Sequence, residues 1–193
     1  MKERFQNIIW DRAASKCEDN RHSEALEWYN YSQTLLSPGE RQSTNAGKLY
    51  RNICFCHLEL NDLEKARQSI TEAENSEHGN PLNSYFDFKI ALYEKNNSTA
   101  IKAMNKMNEN REELQNTDGL TIHDIICLAA QLALKDNNHE VAIPALESVI
   151  KHSPDNKQVI TAIRYNSSIS FKFHVGRNSL HQRIQKIICM YSS

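Results

Sequence analysis

An all-α chain of stacked helix-turn-helix pairs, about four of them plus a partial fifth, is what this sequence predicts, and three observations predict it. Four alanines, Ala25, Ala66, Ala100 and Ala142, each open the second half of a similar amphipathic helix pair. The step from Ala66 to Ala100 is 34 residues, and the other two steps, 41 and 42, equal that step plus a polar insertion. Each alanine follows a polar turn, Asp19-Asn20, Asn61-Asp62, Asn96-Asn97 or Asp136-Asn137-Asn138, and these residue types compete with helix for backbone hydrogen bonds.

Before and after each turn runs an apolar-periodic segment, giving a helix A and a helix B in every pair. The expected spans are 3–18 with 22–36, 44–60 with 63–76, 81–95 with 97–109, and 120–136 with 139–152. A period of 34 residues in helix pairs is that of tetratricopeptide repeats, so the expected architecture is a tetratricopeptide-like right-handed superhelix. With each alanine numbered position 20, position 8 is Ala13, Cys54, Phe88 and Ala130. Small residues at both crossing positions let two helix backbones approach closely; Phe88 breaks that rule. Position 24 (Tyr29, Ile70, Met104, Leu146) and position 27 (Ser32, Ala73, Met107, Val149) supply the face that packs on the next pair, and Pro154 stands where a repeat ends. Val159 to Ile163 starts like a fifth helix A, whereas Ile169 to Val175 alternates with period two, as a strand would. The expected domains are a helical repeat domain over 1–163 and a basic, divergent C-terminal tail over 164–193.

Charge divides the chain at the same place. From Asn156 to Ser193 there is no acid, while Lys157, Arg164, Lys172, Arg177, Arg183 and Lys186 give +6; the first 155 residues then hold 17 basic and 24 acidic side chains, a net −7. Three readings of the tail stay open: a contact to nucleic-acid phosphates, a cap over the last pair, or an incomplete or alternative terminus, the last being preferred. Direct nucleic-acid binding is not expected of the chain as a whole. No run of eighteen apolar residues occurs, so no membrane span is expected, and no apolar stretch marks a secretory signal near Met1. Five cysteines, odd in number and mostly at apolar or small helix positions, point to a reducing compartment, nucleus or cytoplasm.

Catalytic chemistry has no foothold. Five glycines include no phosphate-cradling loop, and eight scattered histidines form no His-Glu-x-x-His or Cys-x-x-Cys ligand set. Cys54 and Cys56 point to different faces of one helix, and Cys56 beside His57 diverges from it. No catalytic, metal or cofactor residue is assigned and no cofactor is expected; the chain reads as a non-enzyme.

A stack of helix pairs binds partners along its A helices, whose outward positions 2, 5, 9, 12 and 13 line the concave side. The expected partner groove is Trp10, Arg51, Asn52, Phe55, Tyr85, Lys89, Tyr93 and Lys135. Aromatics and Arg are enriched at interface hot spots, and the cations fit a peptide of some acidic character. For Trp10 and Phe55, packing between successive A helices is an equal alternative; for Arg51, Lys89 and Lys135 it is a solvated face. Cochaperone grooves that clamp a C-terminal carboxylate carry Lys at position 5 and Asn at position 9 of their first repeat. Here those places hold Trp10 and Ala14, and only Asn52 echoes the clamp, so a chaperone-tail receptor is disfavoured.

Glu24-Ala25-Leu26-Glu27-Trp28-Tyr29-Asn30-Tyr31-Ser32, then Lys48 to Leu60 (Lys-Leu-Tyr-Arg-Asn-Ile-Cys-Phe-Cys-His-Leu-Glu-Leu), Leu63-Glu64-Lys65-Ala66-Arg67 and Ala73-Glu74 resemble the Zip-class meiotic crossover scaffold family, of the testis-expressed protein eleven and sporulation-specific type. The resemblance covers about residues 1–160 and makes the chain a portion of a longer protein. It implies a scaffold on meiotic chromosomes in the nucleus that joins recombination and synapsis factors, promoting crossover formation and synaptonemal assembly. The repeats alone fit an alternative, a general adaptor in cytoplasmic trafficking or protein quality control.

Overall fold

The computed structural model describes residues 2–109, 122–152 and 156–173. Among these residues the regular structure is helical throughout, with no strand. The α-helices are α1 (Lys2–Glu18), α2 (His22–Thr34), α3 (Thr44–Glu59), α4 (Leu63–Ser76), α5 (Pro81–Tyr93), α6 (Asn97–Glu109), α7 (Ile122–Lys135), α8 (His139–His152) and α9 (Asn156–Phe173), with a 3-10 turn at Pro38–Arg41. The expected A and B spans are present to within a few residues at each end. The chain divides into two compact units, residues 1–125 and 126–193.

Helices α1 and α2, α3 and α4, and α5 and α6 are joined by the same three-residue turn, as are α7 and α8. In each turn one residue has left-handed backbone: Asn20 (φ 58°), Asn61 (58°), Lys95 (58°) and Asn137 (53°). Its own N–H donates to the carbonyl three residues back (Cys17, Leu58, Leu92, Leu134) at 3.0 Å. The following N–H, of Arg21, Asp62, Asn96 or Asn138, reaches the carbonyl five residues back at 2.8 to 2.9 Å. These bonds satisfy carbonyls that a helix end leaves orphaned. The residue making the second bond also caps the next helix. Asp62 accepts from the Lys65 N–H at 3.2 Å, Asn96 from Thr99 at 3.1 Å and Asn138 from Val141 at 3.3 Å. Arg21 has no side-chain cap bond and pairs with Glu24 instead.

This turn places Ala25, Ala66, Ala100 and Ala142 each at the fourth residue of its helix, and all four are fully buried. Positions 8, 24 and 27 are buried in all four pairs, Phe88 included. In the first unit α2 packs on α3 and α4 on α5, so one core runs through successive pairs. In the second unit α8 packs on α9, with Ile150 against Val159 and Ile163.

Residues 169–173 are helical, the last turn of α9, and not the start of a strand. Val159, Ala162, Ile163 and Asn166 are all buried, a spacing of three and four that sets a helical period before the alternation begins. Extending an existing helix adds one hydrogen bond per residue fixed, which outweighs a short period-two pattern. Helix α9 also runs unbroken through 163 and 164. Pro154, the insertion at 110–121 and the basic residues Arg177, Arg183 and Lys186 lie outside the described residues.

Among the four left-handed residues, Lys95 is the one that is not Asn, and Asn tolerates this conformation through local hydrogen bonding. Lys95→Asn is expected to stabilise the fold by about 0.5–1 kcal/mol, raising the melting temperature by roughly 2–4 °C. Differential scanning calorimetry checks this.

Candidate partner-binding site

Arg51, expected in the partner groove, is instead an internal bracket. It is 4 % exposed. Its guanidinium donates from Nη1 to Asn83 Oδ1 at 2.9 Å and pairs from Nη2 with Glu77 Oε2 at 2.8 Å. Asn83 Nδ2 donates to Glu74 Oε2 at 2.8 Å and to the Glu77 carbonyl at 2.9 Å, and Lys106 Nζ donates to Glu74 Oε1 at 2.8 Å. One polar chain thereby joins α3, the end of α4, α5 and α6. Gly47 makes room for it, since a Cβ there would stand 2.8 Å from Glu77 Oε2 and 2.9 Å from its Cβ. Burial pushes the Glu74 carboxyl up, but hydrogen bonds from Lys106, Asn83 and the Gly79 N–H outweigh that and hold it below its ordinary 4.5.

Trp10 is also turned inward. Its indole Nε1 donates to the buried Ser32 Oγ at 2.9 Å, and the ring packs on the core shared by α1 to α4. Asn52, next along α3, is partly buried.

Three of the expected residues do come together. Lys89 Nζ on α5 lies 5.2 Å from the Phe55 ring of α3 and 5.9 Å from the Tyr93 ring, and pairs with Glu59 Oε1 at 3.1 Å. His22 of α2 also makes an edge contact with the Phe55 ring, at 5.6 Å. Tyr85, one turn before Lys89, meets Phe86 edge-on at 5.9 Å, and burial raises its phenol pKa. Successive A helices thus present positions 9 and 13 on one face, with the ammonium already held by a carboxylate and two rings.

Lys135 belongs to the second unit, where it lines an open cavity of about 700 Å³. Cys127, Ala130, Gln131 and Leu134 of α7 and Leu146 and Val149 of α8 form much of its wall; Lys157, Thr161, Ala162 and Tyr165 of α9 close it. No Asp or Glu lines it. Gln131 and Lys135 are positions 9 and 13, where the groove was expected. The α9 contribution was missed, although the apolar spacing from Val159 to Ile163 was the signal for that helix.

Two buried thiols, Cys54 and Cys56, are poorly suited to nucleophilic chemistry. Burial pushes Cys54 up to about 12 and raises Cys56 as well, while Cys17 Sγ lies 3.8 Å from Cys56 Sγ. Burial lowers the His57 pKa. Among the described residues, no group of three or more His, Cys, Asp or Glu side chains is placed to hold a metal, and no helix is long and apolar enough to cross a membrane. No family model matches the chain.

Two measurements separate bracket from surface. Arg51→Ala leaves Glu77 and Asn83 without their partner and is expected to cost on the order of 3 kcal/mol, whereas Lys89→Ala, at a more solvated pair, costs about 1 kcal/mol or less. Urea denaturation reads both. The folded Glu74 carboxyl titrates below its unfolded value, so its contribution is present above pH 4.5 and lost as pH falls through the folded value. The stability lost in Glu74→Gln is therefore expected at pH 7 and expected to shrink on acidification, as melts along a pH series will register.

Proposed function

We propose that this chain is a non-enzymatic protein-protein interaction scaffold, a tetratricopeptide-like right-handed superhelix of about four repeats with a partial fifth. Its binding element is the α7–α8–α9 cavity, and its ligand is an extended or helical peptide with apolar side chains and carboxylates. The observation that carries the reading is the composition of that cavity: an apolar floor, two lysines, three neutral polar side chains (Gln131, Thr161, Tyr165) and no acid. A volume of about 700 Å³ suits a few peptide side chains. Lys135 and Lys157 would then set orientation and on-rate more than affinity. In the first unit the ring-and-cation surface of Phe55, Lys89 and Tyr93, with Glu59 on the ammonium, offers a second face.

The process rests on the family resemblance. The Glu24–Ser32 and Lys48–Leu60 segments support a scaffold for recombination and synapsis factors on meiotic chromosomes. Transcripts confined to meiotic tissue, with those factors recovered on the full chain, are expected; ubiquitous transcripts with trafficking or quality-control partners would establish the adaptor reading.

The peptide reading is tested with an array of acidic and basic peptides on the intact chain. Lys135→Glu is expected to weaken acidic peptides about tenfold at low salt, with the difference shrinking as ionic strength rises. Equal retention by wild type and Lys135→Glu would remove the cavity from the proposal.

A further inference from the structure

Two thiols face each other where the first pair meets the second. Cys17 and Cys56 each stand in the last turn of their helix, α1 and α3, with Cys17 half-buried and Cys56 fully buried. Their Sγ atoms are 3.8 Å apart although 39 residues separate them along the chain. Tyr29 of α2 completes the cluster: burial, and then the two neighbouring thiols, push its phenol pKa up. Cys17 is position 12 of its pair and Cys56 position 10 of the next. Further along the chain the same two places hold Leu58 with Ile90 and Leu92 with Leu132. Cysteine packs as a small apolar residue, so filling a core gives no reason to set it on both sides of one contact where aliphatic residues serve elsewhere.

We propose that Cys17 and Cys56 are a thiol–disulfide switch, in which a peroxide oxidises the pair and the disulfide straps α1 to α3, locking the first pair onto the second. Hydrogen peroxide enters at Cys17, the member that solvent reaches. Its sulfur takes one peroxide oxygen as a hydroxyl while the O–O bond breaks; the other oxygen leaves as water with the thiol proton, and Cys17 becomes a sulfenic acid. The Cys56 sulfur then attacks the Cys17 sulfur, the S–O bond breaks, and hydroxide leaves with the Cys56 proton as a second water. One peroxide and two thiols give one disulfide and two waters. Burial makes Cys56 a poor nucleophile toward anything in solution, but here its attack is intramolecular and starts from contact. Bonding needs the sulfurs to close from 3.8 Å to about 2 Å, and a helix yields most easily in its last turn, where both residues lie.

The strap acts on stability. It closes a long loop in the unfolded chain, and in a stack whose pairs are held only by their neighbours it stops the first pair from opening alone. A dithiol reductant restores both thiols by exchange. Cys54 is the internal control, since it is as buried as Cys56 but lies two residues away on another face of α3.

The test exposes the intact chain to stoichiometric hydrogen peroxide, alkylates the remaining thiols, digests with trypsin and finds cross-linked peptides by mass spectrometry. The expected product joins residues 17–21 to residues 52–65 and is two hydrogens lighter than their sum, with fragmentation placing the bond on Cys56. Cys17→Ala and Cys56→Ala each remove it, and Cys54→Ala leaves it. Cys17→Ser, at a half-buried place, keeps the test valid if Cys56→Ala does not fold. The oxidised wild type is expected to melt roughly 5–10 °C above the reduced chain, and dithiothreitol to reverse the rise. Both thiols staying open to alkylation, oxidation of Cys17 that stops at the sulfinic acid, or cross-links spread over other cysteines as in the urea-unfolded chain would overturn the proposal. So would a Cys17–Cys56 bond that leaves melting unchanged. The switch does not rest on the α7–α9 cavity, and Lys135→Glu should leave it untouched.

Discussion

Everything in this fold depends on joining two helices without slack. The connection between A and B is three residues in every described pair, with one left-handed residue closing the first helix and the next residue starting the second. Because the end of one helix and the start of the other share hydrogen bonds, neither can rotate without breaking them. The phase of helix B relative to helix A is therefore fixed, and the alanine four residues into B and the residue at position 8 are buried in every described pair. Insertions respect this rule. Nine residues separate α2 from α3 and twelve separate α6 from α7, whereas the connections inside pairs do not vary. Loop length is thermodynamically tolerant only where no such geometry has to be kept.

Fixed phase also explains why side chains of one chemical type take opposite roles. Arg51 and Lys89 both stand on A helices, at positions 5 and 9. The Arg51 guanidinium has five donors in a planar fork, so it can satisfy Glu77 and Asn83 together and tolerate burial, provided Gly47 leaves room. Lys89 keeps a point charge near the surface, over two rings and beside one carboxylate. Replacing either with the other would fail for geometric reasons, although their formal charges are equal. The buried bracket serves uniqueness of packing, because each of its members is satisfied only when α3, α4, α5 and α6 are all in place.

Local signals in the sequence carried the fold well. Ala25, Ala66, Ala100 and Ala142, the Asn and Asp turns, and the apolar positions 8, 24 and 27 each announce themselves within a few residues, and all are buried or turned as expected. What sequence could not supply was long-range. The partners of Arg51 lie 26 and 32 residues away, so its inward turn was not legible from its neighbours; for Trp10, whose acceptor lies 22 residues away, inward packing stood only as an equal alternative. Lys95 is a subtler case: Asn96 and Asn97 marked the turn, but which residue would be left-handed depended on where α5 stopped. The alternation from Ile169 misled because a short period-two run weighs less than a helix already propagating into it.

The placement of α9 changes how the basic end of the chain acts. Had the charge change at Asn156 marked an unstructured tail, its cations would act mainly through long-range, salt-screened attraction. Instead α9 carries Lys157 into a cavity wall beside Thr161 and Tyr165, while Arg164 lies exposed on the same helix. Lys135 and Lys157 line the cavity with Ala130, Leu134, Leu146 and Val149 and are both exposed, so their field on anything seated there is screened by salt. Helix period, apolar floor and charge sign converge on one concave surface within the second unit.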